Sequence, residues 1–480
     1  MNTFVIGLIG LLTQGCGEKK GIETVKPVSA MTIPVPTASS PFTPPTPVVS
    51  KLDSGASLWM LEDHDIPVVV FNIVLAGGSS QDVAAKQGLA ELTNQMLLES
   101  AGERSSSEIS SVLYDMAVDV SVETTRQHTI VQVSSHKDRL SDALAVVSDM
   151  VFEPQITEAD WSRVKEQNLA SLQQSRQDAS WVASHYAPYF LYGADHPLGR
   201  SVRGTPSTIE AVSTTDLRTW HQQRLKGADA TMGVVVVGDI DASTVESLVE
   251  THFSRFPVMT REDIRIPVVV DVAVQPTAKT VLVDMPGAEQ TSIRVLAPSY
   301  PAGDEREIAA DLAGVVMGGT FTSRLNAKLR EEKGYTYGAG CSFTTGYYGS
   351  HLSVRTNVQT PSTTEAIQDL NDVLATAKAG FSIDDHNKAV SAYRGDFVQL
   401  ASSRKQLASE MVDLFRLGDP ATMWSTDLAI SQIVTAEQMQ QTAELFDATR
   451  GVTVLVGDAS VVEPMLTEAG VGYTIAQIPE

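Results

Sequence analysis

The sequence predicts an α+β fold built from two similar halves, and three observations carry that expectation. First, 480 residues exceed what one hydrophobic core normally organises, so two or more domains are expected. Second, strand-like apolar runs and amphipathic helical patterns are mixed within each half. Third, the buried-strand run Val234-Val235-Val236-Val237-Gly238-Asp239 recurs as Val454-Leu455-Val456-Gly457-Asp458, with the glycines 219 residues apart. Upstream of each copy lies a helix start, Thr214-Thr215-Asp216-Leu217 and Thr435-Ala436-Glu437-Gln438-Met439, where threonine is expected to cap and an acid occupies the first turn. A repeat of this length is too long for a solenoid unit and indicates duplicated domains.

In chain order, Phe4 to Leu12 is a nine-residue apolar run. A spanning helix needs about 20 residues, so the run fits the hydrophobic stretch of a signal peptide. Thr13-Gln14-Gly15-Cys16 resembles a bacterial lipobox, which assigns residues 1–16 to the signal and Cys16 to lipid attachment. Residues 17–50 hold seven prolines in 34 positions and read as an extended tether. The first half is assigned to residues 51–258. It contains a strand over Pro67–Gly77, a helix over Gln87–Glu99, a hairpin over Val118–Ser134 and a helix over Lys137–Val151. Residues 259–279, with Pro267 and Pro276, read as a linker. The second half, 280–480, begins with strands over Thr280–Asp284 and Ser292–Ala297. Helices follow over Glu305–Val316 and Ser323–Lys333; Gly334 stops the latter and the chain turns extended from Tyr335.

A hydrophobic content of 42% and a charged content of 19% are ordinary for a globular protein. The net charge of −23 excludes nucleic acid and anionic membrane surfaces as partners, since both require basic patches. With Cys16 assigned to acylation, Cys341 has no partner for a disulfide and reads as a small buried residue.

Three stretches together carry a resemblance. The first is Gly77-Gly78-Ser79-Ser80-Gln81-Asp82 with Gly88-Leu89-Ala90 and Met96-Leu97-Leu98. The second is Leu191-Tyr192-Gly193-Ala194-Asp195-His196-Pro197-Leu198-Gly199-Arg200 with Gly204-Thr205 and Ile209. The third is Met317-Gly318-Gly319-Thr320-Phe321-Thr322-Ser323-Arg324-Leu325, continuing through Leu329-Arg330-Glu331-Glu332-Lys333-Gly334-Tyr335-Thr336-Tyr337-Gly338. In this order, within two similar halves, they resemble the M16 (insulinase-type) zinc peptidases from about Trp59 to the C-terminus. The resemblance implies two homologous α+β domains that form half of a clam-shell chamber.

The zinc motif departs from that pattern. Catalytic members of the family carry His-x-x-Glu-His directly after Gly-Leu-Ala, with both histidines on one helix face and the glutamate as general base. Here those positions read Glu91, Asn94 and Gln95. The family's third ligand is a glutamate roughly 75–80 residues further on, which lands on a stretch centred on Leu172 that holds no carboxylate. A catalytic site needs three protein ligands and a base, so the chain is expected to hold no metal and to have no independent activity. The resemblance also assigns a substrate-holding arginine and tyrosine, seven residues apart, to the C-terminal domain, and Arg330 and Tyr337 match them. Gly334 between them is expected to bring a helix-end guanidinium close to a strand-borne phenol.

Other candidates carry less chemistry. The Val68–Ala76 strand is a candidate edge for strand addition by substrate. His128 and His136 lack ligand spacing, Asp195-His196 reads as a turn, and Asp384-Asp385-His386 reads as a helix start. The expected partners are a catalytic M16 subunit that carries the zinc, a peptide or unfolded segment as substrate, and a membrane reached through the lipid anchor. The expected location is the cell envelope, lipid-anchored on the periplasmic side of the outer membrane or free in the periplasm. Gly17 after the cysteine is not the aspartate that marks inner-membrane retention. The alternative is a non-enzymatic peptide-binding or scaffold protein in which Arg330 and Tyr337 are relics.

Overall fold

The computed structural model describes residues 42–52, 56–225, 232–255 and 280–480. The signal run, Cys16, most of the tether and the 259–279 linker lie outside the described residues.

Two six-stranded sheets organise the described residues, one per half. The first contains β1 (Val48–Lys51), β2 (Ser57–Glu62), β3 (Val68–Ala76), β4 (Asp119–Thr124), β5 (His128–His136) and β6 (Met232–Gly238), in the order β1-β2-β6-β3-β5-β4. The second contains β7 (Thr280–Asp284), β8 (Gln290–Pro298), β9 (Ala339–Thr344), β10 (His351–Gln359), β11 (Val452–Gly457) and β12 (Thr474–Ala476), in the order β12-β7-β11-β8-β10-β9. The repeated Val-Gly-Asp runs are β6 and β11, each parallel to one neighbour and antiparallel to the other. Register matches as well. Val235 of β6 lies opposite Asn72 of β3, and Val454 of β11 opposite Arg294 of β8, each three residues before the glycine. The duplication read from sequence is therefore repeated strand for strand, apart from one edge: β1 runs antiparallel to β2, whereas β12 runs parallel to β7.

Four expectations need correction. β1 begins at Val48, three residues inside the stretch read as tether, because those residues find a ladder partner in β2. β3 is central, bonded to β5 on one side and β6 on the other, so it has no edge to offer; among the described residues the edge strands of this sheet are β1 and β4. Ser213, not Thr214, caps its helix, in a reciprocal capping box with Asp216, while Thr435 caps as expected with Gln438. The two helices expected near 305–316 and 323–333 end in π-helical segments, Val315–Gly319 and Ala327–Glu332.

Each sheet packs one face on the helices of its own half. These cores hold Phe71, Ile73 and Val133 in the first half and Ile293, Val295 and Leu455 in the second. The opposite faces are covered by exchanged helices. The Arg404–Leu417 helix of the second half packs on β3 and β6, with Phe415 edge-on to Trp59 at 6.1 Å. The Ala179–Tyr192 helix of the first half packs on β8 and β11. Burial on both faces explains why the central strands are almost continuously apolar. No helix among the described residues is long and apolar enough to cross a membrane.

Candidate functional site

The Gly77–Asp82 turn leaves β3 and delivers the Asp82 carboxylate to the start of the Leu89–Met96 helix. Its Oδ2 accepts from the Gly88 N–H at 3.0 Å and its Oδ1 from the Ala90 N–H at 3.1 Å, satisfying first-turn donors. Burial pushes this carboxyl up to about 7, with the two amide donors pulling the other way. Gly88 adopts φ +91°, and a Cβ on it would stand 2.8 Å from the Arg203 carbonyl oxygen. A Cβ on Gly204, at φ +77°, would stand closer still, 2.4 Å from the Gln87 carbonyl oxygen. The first and second sequence stretches thus meet backbone to backbone, which explains a glycine in each.

On this helix Glu91 and Gln95 sit one turn apart, and Gln95 Nε2 donates to Glu91 Oε1 at 2.8 Å. Gln95 Oε1 accepts from Asn168 Nδ2 at 2.6 Å. Asn94 is 1% exposed, and its Nδ2 donates to the hydroxyls of Thr124 and Thr129 at 2.7 and 2.8 Å. Thr124 ends β4, so this bond ties the helix to an edge strand of the sheet. Tested against zinc, the donor set does not fit: one carboxylate and two neutral amides replace two imidazoles and a base. Among the described residues no group of three or more His, Cys, Asp or Glu side chains is arranged to hold a metal ion.

Leu172 is 1% exposed within the first core. Asn168, one turn earlier on the Glu158–Ser175 helix, is the residue that reaches the motif face, a role that counting along the sequence missed. The four-residue spacing keeps both on one side of that helix, and only packing against the Leu89–Met96 helix separates them.

In the second half, the Val315–Gly319 segment lies against β9. A Cβ on Gly318 would stand 2.4 Å from the Cys341 Cβ, so glycine permits the approach. Cys341 is buried there and its thiol is pushed up to about 12 by desolvation, the behaviour of a packing residue. The Arg330 guanidinium stacks 3.7 Å from the centre of the Phe321 ring, its Nε is 3.6 Å from a Glu331 oxygen, and its Nη1 is buried without a hydrogen-bond partner among the described residues. Tyr337 stands in the loop before β9, not in the strand, and is 92% exposed. No hydrogen bond joins it to Arg330. Phe321 connects them instead: it carries Arg330 on its face and, with Tyr337, lines a cavity of about 470 Å³.

The remaining candidates are structural. Buried His196 accepts from the Leu198 N–H and stacks on Tyr192, and His136 accepts from the Asp138 N–H. Burial, with Arg416 nearby, holds His128 down to about 4. Asp385 completes the capping box of the Ile383–Leu400 helix with Ser382.

Residues 60–204 match the family model described as Insulinase (Peptidase family M16), and residues 211–393 match the model described as Peptidase M16 inactive domain. Among relatives, Non-peptidase homolog YmxG of Helicobacter pylori is 24% identical over 304 residues, which cover 62% of this chain and 68% of that one. Among solved structures, the peptidase M16 inactive domain from Pseudomonas fluorescens superposes with a TM-score of 0.76 at 21% identity, over 90% of this chain and 99% of that chain. The periplasmic protease PqqL from Escherichia coli gives a TM-score of 0.68 at 16% identity, over 92% of this chain and 52% of that one. Two adjoining family models that together cover more than half of the sequence, and a fold shared with solved M16 structures, place this chain in the M16 (insulinase) peptidase family, as a member without the zinc-binding motif.

Proposed function

We propose that this protein is the non-catalytic subunit of a two-chain M16 peptidase of the cell envelope. It walls half of a chamber and holds peptides or unfolded segments, while a partner M16 chain supplies zinc and base. One observation carries the reading: the motif helix spends its key side chains on an amide and hydroxyl network, with Asn94 donating to two threonines where a base would have to accept a proton. Two further facts support it. The first half of PqqL is matched over its full length and the whole of PqqL over 52%, so a second unit of similar size completes that protein. Tyr337 is exposed at a cavity, where its hydroxyl is free to donate to a substrate carbonyl. The unpaired edge of β4, bonded through Thr124 to the motif helix, is the ladder to which an extended substrate would add. Lipid attachment at Cys16 would hold the pair at the membrane.

The test is peptide hydrolysis by the purified protein, alone and mixed with an M16 chain from the same source that bears an intact His-x-x-Glu-His. Alone it is expected to show no chelator-sensitive turnover; mixed, turnover appears or rises. Tyr337→Phe or Arg330→Ala is expected to lower turnover of the pair by tenfold or more, on the order of one lost transition-state hydrogen bond. Unaltered turnover in both variants would favour the scaffold role. Chelator-sensitive hydrolysis by the protein alone would overturn the proposal.

A further inference from the structure

The two halves place one row of side chains at the same point in their sheets and fill it differently. In the first sheet the row is Asn72, Gln132 and Ser121 on β3, β5 and β4; in the second it is Arg294, Arg355 and Gly340 on β8, β10 and β9. The first row closes on itself, with Gln132 Nε2 donating to Asn72 Oδ1 at 3.0 Å. Two guanidiniums cannot do this, because both only donate, and like charges directly opposite on neighbouring strands repel.

Arg294 is anchored from behind by Ser180 Oγ at 2.8 Å, Ser184 Oγ at 3.0 Å and the Ile293 carbonyl at 2.9 Å. Arg355 makes no side-chain hydrogen bond or ion pair with the described residues, and it lines the 470 Å³ cavity that Tyr337 borders. Gly340 leaves it room, since a Cβ there would stand 3.0 Å from the Arg355 Nε. Among the described residues, no aspartate or glutamate lines this cavity. The carboxylate whose field reaches Arg294 is Asp178, and it is occupied in capping the Ala179–Tyr192 helix through the Trp181 N–H at 2.9 Å. In a protein of net charge −23, an acid-free cavity holding two arginines is built for an anion.

We infer that this cavity is a subsite for a carboxylate on a bound peptide, gripped by Arg355 with Arg294 behind it and Tyr337 at the rim. The inference rests on the peptide-holding role proposed above and adds the chemical class of group that the second half takes. A guanidinium presents paired donors that match a planar two-oxygen anion, whether it is the terminal carboxylate of the peptide or an Asp or Glu side chain.

The test is equilibrium binding of an N-terminally labelled dodecapeptide to the full-length protein. The peptide is used as the free acid without acidic side chains, as its C-terminal amide, and as that amide with one internal glutamate. At least one carboxylate form is expected to bind about tenfold tighter than the neutral amide, the worth of a charged hydrogen bond. Arg355→Gln removes that preference without lowering the melting temperature, and Arg355→Lys keeps part of it. Preference for the free acid alone assigns the peptide terminus, and preference for the internal glutamate assigns a side chain. Equal binding of all three forms, or a preference that survives Arg355→Gln, overturns the subsite and leaves peptide binding standing. No binding of any form overturns the peptide-holding role and the subsite with it.

Discussion

Asn94 shows at the scale of one residue how a catalytic position becomes a structural one. Its amide nitrogen satisfies two buried threonine hydroxyls, so Asn94→Ala is expected to destabilise the protein by about 2–3 kcal/mol, read from urea unfolding. A second residue-scale prediction concerns Asp311. Burial pushes its carboxyl up to about 7, helped by the neighbouring carboxylates Glu307 and Asp427. A carboxyl raised in the folded state binds its proton more tightly there than in the unfolded chain. Its contribution to stability is therefore full below about pH 4 and lost as the pH rises through about 7. Asp311→Asn, which mimics the protonated form, should raise the melting temperature relative to wild type at pH 8, with the gap narrowing by pH 5. The loss of histidines and base at 91, 94 and 95 was legible in the sequence because identity alone decides whether a side chain can ligate or accept a proton. That Asn94 is buried and doubly bonded was not legible, because its partners lie 30 and 35 residues away.

Packing between secondary-structure elements decides what each residue meets. Leu172 points into the first core, whereas Asn168, on the same helix, reaches the motif helix. Leu172→Glu is expected to unfold the protein or to cost several kcal/mol, since it buries an unpaired charge, while Asn168→Glu is expected to leave thermal stability within about 1 kcal/mol. Comparing the two melting temperatures checks which of the two side chains the core encloses. The edge strand follows the same logic. Val-Val-Val-Phe-Asn-Ile-Val-Leu over β3 is apolar on both faces, the mark of a central strand, whereas Asp-Val-Ser-Val-Glu-Thr over β4 alternates as an edge exposed on one side does. The signal that β4, not β3, offers a free edge was therefore present in the composition of the two runs. The π-helical segment Val315–Gly319 was not legible, because Gly318 within it lies on Cys341 from another element.

For the molecule as a whole, the governing feature is the exchange of helices between halves. A Cβ on Gly233 would stand 2.0 Å from the Phe415 ring, a measure of how closely the Arg404–Leu417 helix lies on the first sheet. Phe415→Ala is expected to cost about 3–5 kcal/mol by opening a cavity in that contact, measured by denaturant unfolding. A fragment of residues 43–255 would leave Trp59, Val70, Val74, Val235 and Val237 uncovered. It is expected to aggregate or bind a hydrophobic dye, while the intact body unfolds in one cooperative transition. Observing a soluble, dye-silent fragment would show that the halves stand alone.

The amino-acid sequence by itself determined the α+β class, the duplication, the family resemblance and the absence of zinc ligands from the motif helix. All four follow from local pattern and side-chain chemistry, which need no neighbours. Only the tertiary structure decided which helix covers which sheet, where Tyr337 stands, and that Arg294 faces Arg355. Those outcomes depend on residues far apart in the sequence arriving at the same place, a property of packing that no single stretch contains.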